Sequence, residues 1–201
     1  MKWLIYILLT LGLLMILGTT HAQELNQDEI GDLQRTREEQ KMSLDLYQEF
    51  YMLYDQYIFD RVAERKAEQM HKVKSLLEVY GLADPISGIS GLRGTYNNLS
   101  VQQDYDYFYA LGIQSLNEAL RASAQVEEQN INTKKNYLRK TENLLLRRTY
   151  DNLIRSSEQN LQSFIRNLEM VGQDYQAKIL SEEELEEILR KEYGALKAEK
   201  K

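Results

Sequence analysis

The chain has 201 residues, a formal net charge of −6, one proline and no cysteine. Because it has no cysteine, disulfides, thiol nucleophiles and iron–sulfur clusters are excluded, and the acidic balance offers no basic face for nucleic acid. Runs of Leu, Glu, Lys, Arg and Gln, with apolar residues every three or four positions, favour an all-α protein of about one domain.

Residues 1–22 have the pattern of a signal peptide. Lys2 precedes an apolar run from Trp3 to about Leu17, and Thr20-His21-Ala22 supplies the small residues for a cut after Ala22. The run is shorter than the roughly 20 residues that a spanning helix needs, and a retained anchor is the alternative. We therefore expect a periplasmic or secreted protein that binds neither membrane nor nucleic acid once the leader is removed. Its partner would be an unidentified protein or a second copy of the chain, and its one remaining histidine is His71.

The spacing of apolar and helix-ending residues predicts five helices before the C-terminal segment. A flexible lead-in over 23–34 precedes a long helix from about Arg35 through the Tyr-rich LYQEFYMLYDQYIF, and a second long helix runs from about Ile58 to Tyr80. A short helix follows from about Asn98 to Ala110. The third long helix runs from near Gly112 past Glu128, and the fourth from about Glu142 to Val171. Gly81 and Asp84-Pro85 end the second helix and open the longest predicted loop. Four long helices in one bundle over 35–175 are the economical architecture.

The C-terminal segment, 176–201, is predicted to be an acidic amphipathic helix. Ser181 and Glu184 form a capping box at its start, and Leu185 and Ile188 lie along one side. The sequence leaves open whether this helix is solvated or docks on the bundle or on a second subunit.

The second helix contains Glu68-Gln-Met-His71, a Glu-x-x-His quartet of the kind that helix bundles use to hold iron or manganese. Helical geometry places an apolar stripe along one side of this helix, made of Val62, Val73, Leu76 and Tyr80. The same spacing puts Lys66 and Gln69 on the stripe, whereas His71 points about 180° away and Glu68 about 120° away. The quartet is therefore predicted to lie on the outer face.

Polar residues interrupt the apolar stripes of the other long helices too. Glu39 aligns with Leu46, Phe50, Leu53 and Tyr57; Glu127 aligns with Leu116, Leu120 and Ile131; Asn160 lies beside Leu146, Leu153, Phe164 and Val171. Burying an unpaired charge costs several kcal/mol, roughly, so these groups need partners. We expect Lys66 to pair with Glu39, Glu127 or both.

A family resemblance runs from about Arg37 to Glu169. It is carried by the segments REEQKMSLDLY, IFDRVA, VKSLLEVYGLADP, GTYNN, GIQSLNEAL, VEEQNI and TYDNLIRSSEQNLQSFIRNLE. In these segments the chain resembles the ferritin-like superfamily, and within it the prokaryotic exported domain-of-unknown-function family 2202. The resemblance implies an up-down ferritin-like four-helix bundle with a short extra helix in the connection between its second and third long helices, followed by a C-terminal helix.

The resemblance also implies where a di-metal site would have its ligands. The family's ligand slots fall on Glu39, Lys66, Gln69, Glu127 and Asn160, the same five residues that interrupt the stripes. Only the two glutamates match, because an ammonium cannot bind a cation and amides are poor ligands beside imidazole and carboxylate. A rotation of the second helix could bring Glu68 and His71 inward as alternative ligands, but it would expose the four apolar residues of the stripe.

Three functions are compatible with these residues. We expect an exported ferritin-like bundle with a degenerate, metal-free site and no cofactor, acting as a structural or binding module without chemistry of its own. The alternative is an iron- or manganese-binding oxidoreductase or storage protein that uses Glu39 and Glu127 with further ligands. A third possibility is acid/base hydrolysis by the same two carboxylates.

Overall fold

The computed structural model describes the backbone over residues 24–199 and the side chains over residues 24–191. The predicted signal peptide and its cut after Ala22 lie outside these residues. Within them the chain forms six α-helices and no β-strand. The helices are α1 (Gln27–Tyr54), α2 (Tyr57–Val79), α3 (Leu99–Gly112), α4 (Leu116–Lys140), α5 (Leu144–Met170) and α6 (Glu182–Glu199). None of the helices in this part of the chain combines the length and the hydropathy needed to cross a membrane.

Helix α1 begins eight residues before the predicted start at about Arg35, so the lead-in over 23–34 is helical from Gln27 onward. A capping box causes the early start: the Asn26 side chain accepts from the Glu29 N–H at 3.0 Å, and the Glu29 carboxylate accepts from the Asn26 N–H at 2.9 Å. Leu33 in this first part of the helix is fully buried. The prediction of a loose lead-in was therefore wrong for residues 27–34.

The first two long helices are separated by a sharp break at Asp55. This residue adopts a left-handed conformation, with φ of 51°, and its N–H donates to the Tyr51 carbonyl. Aspartate tolerates this conformation better than most residues, because its short side chain forms local hydrogen bonds. The break ends α1. Leu53 and Tyr57, predicted to face inward with Glu39, lie on either side of it and are 51% and 69% exposed.

The four long helices surround one interior. Helix α1 packs against α2 and α4, and α5 packs against the same two helices, so each long helix has two long neighbours. Helix α3 covers α1 and α4, and α6 packs on α5. On α1 and α2, buried polar residues lie between the members of two apolar clusters, one containing Leu33 and Val73 and the other Met42 and Val62.

Buried charged side chains of α1 hold the connection between α2 and α3. Arg37 forms an ion pair of 3.0 Å with Asp84. Burial raises the pKa of the Asp84 carboxyl, but hydrogen bonds from Arg37 and from the Ile86 N–H outweigh it and leave the pKa lowered. Three further side chains of α1 form hydrogen bonds to this connection. The Glu38 carboxylate accepts from the N–H groups of Asn97 and Asn98 (2.8 and 2.9 Å), and the Lys41 ammonium donates to the Leu92 carbonyl (2.8 Å). The Asp45 carboxylate accepts from the Tyr96 hydroxyl (2.7 Å).

The C-terminal helix docks on the bundle, which resolves the question that the sequence leaves open. Glu128 on α4 is fully buried, and its carboxylate accepts from the Tyr175 hydroxyl and from three consecutive backbone N–H groups, those of Lys178, Ile179 and Leu180 (3.0, 2.7 and 2.9 Å). This contact fixes the segment that leads into α6. Leu185 and Ile188 of α6 are then buried against the bundle.

Candidate functional site

All five residues in the slots implied by the resemblance lie in the interior. Their exposed fractions are 3% for Glu39, 0% for Lys66, 8% for Gln69, 0% for Glu127 and 0% for Asn160. They come from α1, α2, α4 and α5, and thus from all four long helices. The bundle therefore has a polar layer inside it, and the partners of each side chain decide what that layer can do.

The Glu127 carboxylate is the centre of this layer and accepts four hydrogen bonds. The Tyr47 hydroxyl and the Asn160 amide donate to Oε1 at 2.8 and 2.9 Å, while Lys66 Nζ and the Asn130 amide donate to Oε2 at 2.9 and 3.4 Å. Burial and the negative charge of Glu127 together raise the pKa of the Tyr47 hydroxyl well above its ordinary value, so Tyr47 remains a donor. Every donor comes from the protein itself, and one of them carries the compensating charge.

Lys66 is fully buried and forms an ion pair with Glu127 but not with Glu39. Its ammonium lies 2.9 Å from Glu127 Oε2 and 3.5 Å from the Ser157 hydroxyl. Burial lowers the pKa of the Lys66 ammonium, and the adjacent Glu127 charge works against that shift. The prediction that Lys66 meets Glu39, Glu127 or both is thus satisfied through Glu127.

Glu39 is compensated by a second lysine that the sequence reasoning missed. Lys134 of α4 is 1% exposed, and its ammonium donates to Glu39 Oε2. Arg35, one turn earlier on α1, donates to Glu39 Oε1 at 2.8 Å. Lys134 lies seven residues after Glu127 and three after Ile131, so it belongs to the same stripe of α4. That spacing is the signal that could have identified it.

The other two slots hold amides, and only one of them, Asn160, contacts a slot glutamate. Asn160 donates to Glu127, and its Oδ1 atom has no hydrogen-bond partner among the described residues. Gln69 donates instead to the Ser156 hydroxyl on α5, and its Oε1 is also unpartnered in this part of the chain. Asn130, three residues after Glu127, adds a third amide to the layer.

The Glu-x-x-His quartet lies on the outside of the bundle. Glu68 and His71 are both exposed, whereas Val62 and Val73 on the opposite side of α2 are fully buried. The rotation that would bring the quartet inward is absent from the structure. The physical reason is the apolar stripe of α2, because burying each such side chain contributes roughly 1.5 to 3 kcal/mol.

The interior donor set does not fit the di-metal centre that the resemblance implies. Such a centre needs several carboxylates and imidazoles, whereas the two carboxylates here are each engaged by a buried ammonium, Glu127 by Lys66 and Glu39 by Lys134. Within the described residues no three His, Cys, Asp or Glu side chains lie close enough together to hold a metal ion. Glu39 and Glu127 are also buried away from solvent. In acid/base hydrolysis the two carboxylates have to contact a substrate that enters from solvent.

Comparison with known proteins finds one matching family, one similar sequence and one similar solved structure. The sequence model of a family described as "Uncharacterized protein domain (DUF2202)" matches residues 29–192. The "Uncharacterized protein MJ0754" of Methanocaldococcus jannaschii is 31% identical over 167 residues, which cover 83% of this chain and 89% of the relative. A crystal structure of hypothetical protein MJ0754 from Methanococcus jannaschii superposes with a TM-score of 0.81 at 30% identity, covering 84% of this chain and 95% of that one. The chain therefore belongs to the family of the uncharacterized protein domain DUF2202.

Proposed function

We propose that this protein is an exported ferritin-like four-helix bundle in which buried lysines have replaced the metal ions, and that it acts as a structural or binding module. The observation that carries the proposal is the pairing of both glutamates in the implied ligand slots with internal ammonium groups, Lys66 with Glu127 and Lys134 with Glu39. A buried carboxylate is stabilised by a positive charge or by several hydrogen-bond donors beside it. A buried lysine provides this positive charge as part of the chain itself, whereas a ferritin-like protein with a complete ligand set obtains it by binding metal ions.

Two further features support the ferritin-like part of the proposal. The four long helices have 28, 23, 25 and 27 residues and surround a shared interior, as such bundles require. The polar side chains in that interior are contributed by all four helices. The proposal of export rests on the pattern of residues 1–22, with release of the chain after Ala22.

Elemental analysis of the protein, purified without a metal-binding tag from a medium rich in iron and manganese, tests the proposal. We expect far less than one ion per chain, because each carboxylate already has a cationic partner. About two ions per chain would contradict the proposal, since that is the content of a di-metal centre.

A variant that restores ligands gives the matching positive result. Lys66→Glu combined with Gln69→His and Asn160→His puts one new carboxylate and two imidazoles in the implied ligand slots, which also include Glu127, and we expect it to take up about one ion per chain. Uptake should stop at about one because Lys134 still engages Glu39. Adding Glu68→Gln and His71→Asn to this variant is the control; a loss of uptake would show that the exposed quartet had bound the ion.

A further inference from the structure

The seam between α2 and α5 contains a groove of about 380 Å³ that opens to solvent. Two matching helix faces form it, with residues spaced by three and four positions on each. Its lining residues are Arg65, Glu68, Gln69, Lys72 and Val73 from α2, and Thr149, Asn152, Leu153 and Ser156 from α5. The groove therefore has two apolar lining residues, Val73 and Leu153, and the rest of its lining is polar or charged and can form hydrogen bonds with a small polar molecule.

The charge of the groove is opposite to that of the whole chain. Arg65 and Lys72 contribute two positive charges against one carboxylate, Glu68, whereas the chain has a formal net charge of −6. Neither Arg65 nor Lys72 forms an ion pair in the part of the chain that the structure describes. The lining residues of the groove thus carry a net positive charge that favours an anion.

Arg65 also has hydrogen-bonding capacity that the protein does not use. Its Nε and Nη2 atoms are out of contact with solvent and have no hydrogen-bond partner among residues 24–191. These two N–H groups form one edge of the guanidinium, the edge that binds a carboxylate or phosphate through two parallel hydrogen bonds. Burial, followed by the charge of nearby Arg61, lowers the pKa of Arg65, and the charge of a bound anion would act in the opposite direction.

Gln69 provides a second, independent observation at the same groove. Its side chain is buried, with 8% exposed, and its amide N–H donates to the Ser156 hydroxyl. Its Oε1 atom has no hydrogen-bond partner within the described residues. Buried polar atoms without partners are uncommon in folded proteins and call for a physical reason. A ligand that donates a hydroxyl proton to this oxygen and accepts from Arg65 would satisfy both residues.

We infer that the α2–α5 groove binds a small polar molecule through a carboxylate or phosphate group held by the Nε–Nη2 edge of Arg65. Lys72 adds charge at the mouth of the groove, and Thr149, Asn152 and Ser156 bind the hydroxylated body of the ligand. Because the Arg65 edge and Gln69 Oε1 are both out of contact with solvent, binding requires the two side chains to turn toward the groove. The inference rests on the proposed role as a binding module and gives that role a ligand chemistry.

Titration with three sugars of similar size tests this site: glucose 6-phosphate, glucuronate and uncharged glucose. Calorimetry should detect binding of one or both anions, weakened by added salt, and amide shifts in an NMR spectrum should map to α2 and α5. Comparison of the first two sugars identifies phosphate or carboxylate as the preferred group. The absence of binding at millimolar concentrations, or equal binding of glucose, would overturn the inference.

Matched arginine variants locate the contact. Arg65→Gln should weaken anion binding at least about tenfold, since a charge-assisted hydrogen bond contributes that much, and Arg65→Lys should recover only part of it. Arg61→Gln removes the same charge one turn away, at an exposed position outside the groove, and should leave binding nearly unchanged. Equal losses in the Arg61 and Arg65 variants would overturn the site. Metal content does not depend on this groove, so a negative result here leaves the lysine–glutamate interior to be judged by its own test.

Discussion

Lys66→Ala is expected to destabilise the protein by about 3 to 5 kcal/mol, which is the usual cost of removing one partner from a buried ion pair. Lys66 and Glu127 are both fully buried, so the substitution leaves the Glu127 charge in the interior with neutral donors only. In urea denaturation the free energy of unfolding should fall by this amount. In thermal unfolding the melting temperature should fall by roughly 6 to 20 °C.

Two companion variants separate the charge from the other consequences of Lys66→Ala. Lys66→Met keeps most of the side-chain volume, so a large loss of stability in this variant can be assigned to the missing charge. Lys74→Ala removes an exposed pair on the same helix, whose ions are 3.7 Å apart, and should cost less than about 1 kcal/mol. An unchanged melting temperature in Lys66→Ala, or a Lys66→Met variant as stable as the wild type, would refute the pairing.

Lys134→Ala is expected to have the second largest effect, about 3 kcal/mol of destabilisation. It removes the buried partner of Glu39 and leaves that carboxylate with Arg35, whose side chain is 34% exposed. The remaining arginine offsets part of the loss, so the effect should lie at the lower end of the range for buried pairs. Chemical denaturation of the variant and the wild type under identical conditions measures it.

The next residue along the chain is the control for this prediction. Lys135 forms a 3.0 Å pair with Glu184 at the surface, where the two side chains are 32% and 44% exposed. Lys135→Ala should therefore cost less than about 1 kcal/mol. Similar stabilities for the two alanine variants would mean that Lys134 does not neutralise Glu39.

The orientation of α2 could be predicted from the sequence. Its apolar residues lie on one side both before and after the polar pair, at Val62 and again from Val73 onward, so the phase of the helix was fixed well enough to place Lys66 and Gln69 inside and His71 outside. The phase of α1 was predicted correctly as far as Phe50 and failed at Leu53. The failure lies in the last turn of α1, which ends at the left-handed Asp55, and that end of the helix has no periodic signal.

The pairing inside the bundle could be predicted only in part. The stripes showed which side chains face inward, but the choice of partner depends on the relative height of residues on neighbouring helices. In the structure Lys134 lies level with Glu39, and Lys66 lies level with Glu127. No single segment of the sequence shows how neighbouring helices are aligned along their axes. The same limit applies to Glu128, whose backbone partners lie about fifty residues later in the chain.

The most direct test of the lysine-for-metal account is anomalous diffraction at the manganese edge from crystals soaked in a manganese salt. The account predicts that Lys66 Nζ lies at hydrogen-bond distance from Glu127, that Lys134 Nζ lies at that distance from Glu39, and that no manganese peak lies within coordination distance of either carboxylate. A manganese peak between Glu39 and Glu127, with the two ammonium groups displaced, would contradict it.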